Sequence, residues 1–171
     1  MNQKLILLLF LLLIGTLERA CGQTAKFKAL FLYNFTQNIG WPSNSETSDK
    51  FIITVVGDKE MVTELEKLAS IKKVGSKSII VQGCNQVKEV GVSHMVYLSE
   101  TKSNLMPLLS AEQQNKPVLL VSSKEGLCPK GAAICFTTID GKLRYEISPN
   151  NISNHNLEVN NKLISLGITV N

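Results

Sequence analysis

Histidine and tryptophan are scarce in this chain, and the spacings that usually carry chemistry are missing. The 171 residues hold two histidines, one tryptophan and four cysteines. Neither His94 nor His155 belongs to an H-E-x-x-H pattern, and no two cysteines form a C-x-x-C, so the common metal and dithiol motifs are absent. No G-x-S-x-G elbow marks a hydrolase serine. Gly126 and Gly131 have the separation of the glycines in a phosphate loop, but Ala132 and Ala133 stand where lysine and a hydroxyl residue are required. Both histidines therefore read as structural, His94 at a strand edge and His155 in an asparagine-rich helix. The reading is of a non-enzyme with no catalytic residue, no metal site and no cofactor.

An excess of one charge is lacking too. Eighteen basic residues face 14 acidic ones, a balance that argues against nucleic acid as a partner. Long apolar runs are also absent. The longest, Leu5 to Ile14, has ten residues after Lys4, about half of what is needed to cross a bilayer. With small residues at Ala20 and Gly22, this segment reads as a secretory signal peptide over residues 1–22 that makes Gln23 the first mature residue. Lipid attachment at Cys21 is the alternative, disfavoured by Glu18 and Arg19 ahead of it. Cleavage removes two basic residues and one acidic one, leaving a net charge of +3. The rest, 23–171, has the size of a single domain and contains nothing apolar enough to cross a membrane.

The mature part begins with its most apolar helix signal. Phe27, Phe31, Phe35 and Ile39 form one i, i+4 row, flanked by Leu30, Leu32 and Tyr33, and Gly40-Trp41-Pro42 supplies the stop. Such a helix must be covered on more than one side. It is read as a core helix or, for Phe31, Phe35, Trp41 and Pro42, as a candidate dimer or partner interface.

Strand and helix signals then alternate. Phe51–Gly57 reads as a strand and Lys59–Leu68 as a helix, with further strands at Ser78–Gln82, Met95–Leu98 and Pro117–Val121 and a helix over Leu105–Gln114. Ala133–Thr138 and Lys142–Ile147 flank Asp140-Gly141, a turn dipeptide, and make an antiparallel hairpin. Ser148-Pro149 opens a closing C-terminal helix carrying Ile152, Val159, Leu163 and Leu166. The predicted fold is α/β, a single domain with a mostly parallel sheet, flanking helices, the C-terminal hairpin and the closing helix. Only the loop from Ser43 to Lys50 reads as floppy. Asp58, at the end of the first strand, reads as the cap of the following helix, with a ligand crevice as its second reading. Arg144 and Glu146 share one face of the hairpin and read as a solvated charge pattern or as a polar rim for a partner.

An exported chain meets an oxidising compartment. Of the three mature cysteines, Cys128 and Cys135 bracket a short segment able to fold back, so a local disulfide is the favoured pairing, as a staple or as a redox sensor. Cys84 is the odd one and is expected to lie buried in the sheet.

Several segments in order carry a resemblance. Lys28-Ala-Leu-Phe-Leu-Tyr-Asn-Phe35 with Trp41-Pro42, the strand end Val56-Gly57-Asp58, Val118-Leu-Leu-Val-Ser122, Leu143-Arg-Tyr-Glu-Ile147 and Asn161-Lys-Leu-Ile164 resemble the YfiR family of exported bacterial proteins. The resemblance covers nearly all of the mature chain. It implies a periplasmic regulator, not an enzyme, that binds the periplasmic domain of an inner-membrane signalling protein and holds it inactive. That partner is a diguanylate cyclase or, in some bacteria, a sensor kinase. The resemblance also implies a homodimer and a disulfide matching Cys128 and Cys135. A second disulfide of some relatives is not reproduced, since Thr54 and Met95 stand in such strand positions. The competing reading is a periplasmic small-molecule binding protein with a crevice at the strand ends near Asp58.

Overall fold

Runs of β-branched and aliphatic residues suit strands buried on both faces, and such runs make the centre of this molecule. The computed structural model describes residues 24–42 and 49–170. The expected signal peptide, its cut before Gln23 and the lipid alternative at Cys21 lie outside the described residues, as does most of the expected loop at 43–50. In chain order the elements are helix α1 (24–36), β1 (Ile39–Gly40), β2 (Lys50–Val56), α2 (Lys59–Ala69), β3 (Lys73–Val74), β4 (Lys77–Cys84), β5 (Met95–Leu98), α3 (Met106–Glu112), β6 (Leu119–Ser122), β7 (Ile134–Ile139), β8 (Lys142–Ile147), α4 (Pro149–Asn154), β9 (Glu158–Val159), α5 (Asn161–Leu166) and β10 (Ile168–Thr169).

Eight strands form one sheet in the order β10-β8-β7-β6-β5-β2-β4-β3. The run from β4 through β2, β5 and β6 to β7 is parallel. β8 returns antiparallel to β7 across the Asp140-Gly141 turn, where both residues have positive φ. The chain is thus a single-domain α/β fold with a mostly parallel sheet, flanking helices and a C-terminal hairpin. β2, first in sequence of the parallel strands, lies between β4 and β5, so the chain winds first outward to β4 and then back across β2 to β5. Such a reversal opens a crevice beyond the strand ends in α/β sheets.

Alternation along the strands sorts the core into two faces. Ile53, Val55, Met95, Tyr97, Leu119, Val121 and Phe136 meet Leu32 and Phe35 of α1 and Met61 and Leu65 of α2. Val56, Val96, Leu98, Leu120 and Cys135 point the other way, toward Met106 and Leu109 of α3 and the turn at Cys128. Full burial of one such aliphatic or aromatic side chain contributes about 1.5–3 kcal/mol.

Three departures from the sequence reading have local causes. α1 ends at residue 36 rather than at Gly40. Asn38 donates its side-chain amide to the Asn34 carbonyl (2.9 Å), Thr36 Oγ1 donates to the Tyr33 carbonyl (2.7 Å), and Ile39-Gly40 is drawn off to pair with β9. The helix expected over Leu105–Gln114 begins instead as a 3₁₀ turn at Glu100–Leu105 and becomes α-helical at Met106, with Pro107 at its start. The closing helix is two short helices with β9 between them. Asn156 adopts φ 55° just after α4, and Asn160 caps α5 by accepting the Lys162 N–H (2.9 Å).

Candidate functional site

Among the described residues, the C-terminal hairpin and the turn before it bring together a close group of reactive side chains. A two-residue turn at Asp140-Gly141 fixes the register of β7 and β8, which sets Cys135 directly opposite Glu146. Cys128 arrives from the other side, at the head of a 3₁₀ turn, Cys128–Lys130, that contains Pro129 and closes on Gly131 at φ 102°. That φ suits glycine, and an added Cβ would run into the Ser110 side chain of α3. Asn151 of α4 clamps the turn, donating its amide to the Cys128 carbonyl (2.8 Å) and the Ala132 carbonyl (2.7 Å).

The outcome is a Cys128–Cys135 sulfur separation of 3.3 Å, both side chains buried, with a Glu146 carboxylate oxygen within 4.8 Å of each sulfur. Glu146 is half-buried and its Oε2 accepts the Gly126 N–H at 2.8 Å. The neighbouring Cys135 thiol, burial and the Glu146 carboxylate all hold the Cys128 thiol far above its ordinary range. Glu146 is thus not the freely solvated charge expected of it, whereas Arg144 is exposed.

Cys128 also lines a polar cleft of about 800 Å³ between α3, the turn and α4, shared with Ser110, Gln114, Lys130, Asn150 and His155. His155 is buried, and its Nδ1 lies 2.9 Å from the Lys116 carbonyl, a structural bond as expected.

On the opposite face, α1 sits in an aromatic cluster. Phe31 and Phe35 meet Tyr145 with ring centroids 6.0 and 5.1 Å away, and Phe136 at 6.0 and 5.9 Å. Of the four residues read as a candidate interface, Phe35 is completely buried within the protomer, and Phe31, Trp41 and Pro42 are half-buried. Trp41 lies edge-on to Phe51 (4.9 Å) and donates Nε1–H to the His94 carbonyl at 3.2 Å. The sequence did not single out Phe27 and Leu30 as surface residues, yet they are 48% and 42% exposed. Beside them Phe31, Leu143 and Leu166 line a groove of about 340 Å³.

At the strand ends, Asp58 caps α2 by accepting the Met61 N–H (2.9 Å), the favoured reading of that residue. It also lines a cavity of about 340 Å³ with Lys59, Gly83 and Cys84. Cys84 is half-buried there, at the end of β4, rather than enclosed in the sheet, and burial together with Glu89 raises its thiol pKa. Next to Asp58, burial holds the Tyr97 phenol well above its usual range, and Ser123, which bonds that phenol, accepts the Lys28 ammonium at 2.7 Å. Thr54 and Met95, which the resemblance sets in the kind of strand positions where some relatives carry a second disulfide, face opposite sides of the sheet. Thr54 is hydrogen-bonded to Ser93 (2.6 Å) and Met95 lies in the core under α1.

No curated protein matches the chain. The family model described as YfiR/HmsC-like matches residues 25–168, from the second described residue of α1 to the start of β10. The chain belongs to the YfiR/HmsC-like family, whose members are periplasmic regulators of cyclic-di-GMP signalling and not enzymes. No helix among the described residues is long and apolar enough to cross a membrane.

Proposed function

We propose that the mature chain, residues 23–171, acts as a homodimer that binds the periplasmic domain of an inner-membrane signalling enzyme, of diguanylate cyclase or sensor kinase type, and restrains it. The observation that carries this reading is the apolar strip on α1. Phe27 and Leu30 are exposed and Phe31 is half-exposed, beside a groove that Leu143 and Leu166 help to line. A helix that buries Leu32 and Phe35 inward while presenting large apolar groups outward has a second face to cover. A partner bound in only one of its states shifts that state's population by its differential affinity, which is all that restraint of an enzyme requires.

The Cys128–Cys135 pair supplies a redox input. In oxidation by a disulfide-bearing oxidant, the two thiols give up two protons and two electrons to form one sulfur–sulfur bond, and the oxidant leaves as two thiols. The bond would lock the turn that Asn151 clamps.

Crosslinked capture of the tagged protein from native envelopes tests the partner. Recovery of a cyclase or kinase with a periplasmic domain supports the reading, and recovery of the protein alone, with its subunits crosslinked, argues against it. Trp41→Ala tests the helix exit. Loss of the Phe51 contact and of the Nε1 hydrogen bond is expected to weaken both self-association and partner binding, read by sedimentation and by binding to the isolated partner domain. Lower stability with both associations unchanged would remove the exit from the interface.

The second reading rests on the cavity at Asp58, whose position at the strand ends suits a small ligand. Native mass spectrometry of the purified protein tests it, since a stoichiometric small molecule would support a binding protein and its absence would leave the regulator reading without that competitor.

A further inference from the structure

We propose that the reduced protein holds a thiophilic divalent cation, zinc in the first instance, between Cys128, Cys135 and Glu146. The inference does not depend on which partner the protein regulates.

The donor set is the first argument. Two thiols and a carboxylate oxygen, all within 4.8 Å of one another, are contributed by three separate backbone segments, the turn at Cys128, strand β7 and strand β8. Thiolates select soft and borderline cations, and zinc takes sulfur at about 2.3 Å and carboxylate oxygen at about 2.0–2.2 Å. Around a tetrahedral zinc those lengths put two sulfurs about 3.8 Å apart and a sulfur and an oxygen about 3.5 Å apart. The sulfurs here are 3.3 Å apart. A modest opening of the turn seats the cation.

The support around the ligands is the second argument. The Gly126 N–H fixes one oxygen of Glu146 at 2.8 Å, orienting the carboxylate as neighbouring donors do in metal sites. Glu146 is further held by pairing on both sides of its strand, to Cys135 on β7 and to Ile168 on β10. The two Asn151 hydrogen bonds hold the backbone that carries Cys128. No ligand rests on a free loop, so little ordering accompanies binding.

The third argument is access. Both sulfurs are buried, but Cys128 lines the polar cleft of about 800 Å³, which gives an ion its entry path and leaves a fourth coordination position for water. Binding releases the two thiol protons to solvent as the ligands become thiolates. A site with three protein ligands exchanges its metal more readily than a closed four-ligand one. The same two sulfurs cannot bond to each other and to the metal, so disulfide formation and cation binding exclude one another. The pair becomes a three-state element, either a free dithiol, a metal-bound dithiolate or a disulfide.

The test is titration of the purified, phosphine-reduced protein with Co²⁺ under anaerobic conditions, followed by displacement with Zn²⁺. The expected result is one Co²⁺ per chain with a sulfur-to-cobalt charge-transfer band, lost on adding Zn²⁺ and never seen in the disulfide form. Cys128→Ser and Cys135→Ser are each expected to weaken binding strongly and diminish the band. Glu146→Gln, which keeps an acceptor for the Gly126 N–H, should weaken binding at least about tenfold while metal-free thermal unfolding stays near that of the unchanged protein. No stoichiometric Co²⁺ binding by the reduced protein, or a band that survives both cysteine variants, would overturn the site. Should the cysteine variants fail to fold, Glu146→Gln decides, since unchanged affinity there rules out the three-ligand centre.

Discussion

The two faces of the sheet are built on different principles. Under α1 the fold is held by interlocked rings and long aliphatic chains. Leu32 and Phe35 have no exposed surface, and Phe31, Phe35, Phe136 and Tyr145 meet mostly edge to face. Behind β6 and β7 the cover is a seven-residue helix and a 3₁₀ turn, and the side chains in contact there include two cysteines, the first of them on a turn that Asn151 holds by amide hydrogen bonds to the Cys128 and Ala132 carbonyls. The first face gains its stability from area removed from water, which changes little with redox state or metal supply. The second depends on a few directional contacts around groups that can change their chemistry. A regulator benefits from that division, because a switch on one face then leaves the main core intact.

The sharpest way to break the comparison is to attack the aromatic face. Phe35→Ala removes a ring in contact with three others and should cost about 3–5 kcal/mol, read as a fall in the urea midpoint at unchanged slope. A loss under about 1.5 kcal/mol would mean that the two faces do not differ in this way.

Next in size is the thiol face. Oxidation to the Cys128–Cys135 disulfide closes an eight-residue loop and should add about 2.5 kcal/mol in the chain-entropy model, so oxidised and reduced protein should separate in denaturant by that amount. The gain should vanish in Cys128→Ser. Equal stability of the two forms would deny the turn any role as a staple, and the thiol face would then be open to chemistry without structural consequence.

The two faces also differed in how far they could be read from sequence. The aromatic face was legible because Phe31 and Phe35 recur at helical spacing and because Ile53, Val55, Met95 and Tyr97 sit in short apolar runs. Asp58 as a cap followed from residue type and place alone. On the thiol face, proximity of Cys128 and Cys135 was read from spacing, but Glu146 was not joined to them. Half of that signal was present, since Cys135 and Glu146 lie equally far from the Asp140-Gly141 turn and must therefore pair. The other half, the approach of Cys128 over the hairpin, depends on Asn151 and Ser110, which are distant in sequence. The closing C-terminal helix is present but interrupted: Ile152, Val159, Leu163 and Leu166 imitate one helix face, while Asn156 and Asn160 break the segment into two short helices. The β1–β9 pairing, two residues on each side, leaves no periodicity to detect.

The smallest expected effect sharpens the boundary of the aromatic face, where His94 closes its rim. The imidazole stacks on Phe51 at 4.7 Å, and its Nδ1 accepts the Ile52 N–H at 3.0 Å, which requires Nδ1 to carry no proton and places the proton of the neutral ring on Nε2. Burial, with Lys77 as a second cause, lowers its pKa below the ordinary 6.5. The unfolded chain therefore takes up this proton first as pH falls. His94 contributes stability that is fully present above about pH 6.5, declines below it, and levels off beneath the folded-state pKa. Urea midpoints measured between pH 7.5 and 5.5 should show that decline, and His94→Asn, whose amide oxygen can still accept the Ile52 N–H, should flatten it. An equal decline in both proteins would place the acid sensitivity elsewhere and leave the rim as indifferent to protons as the core beneath it.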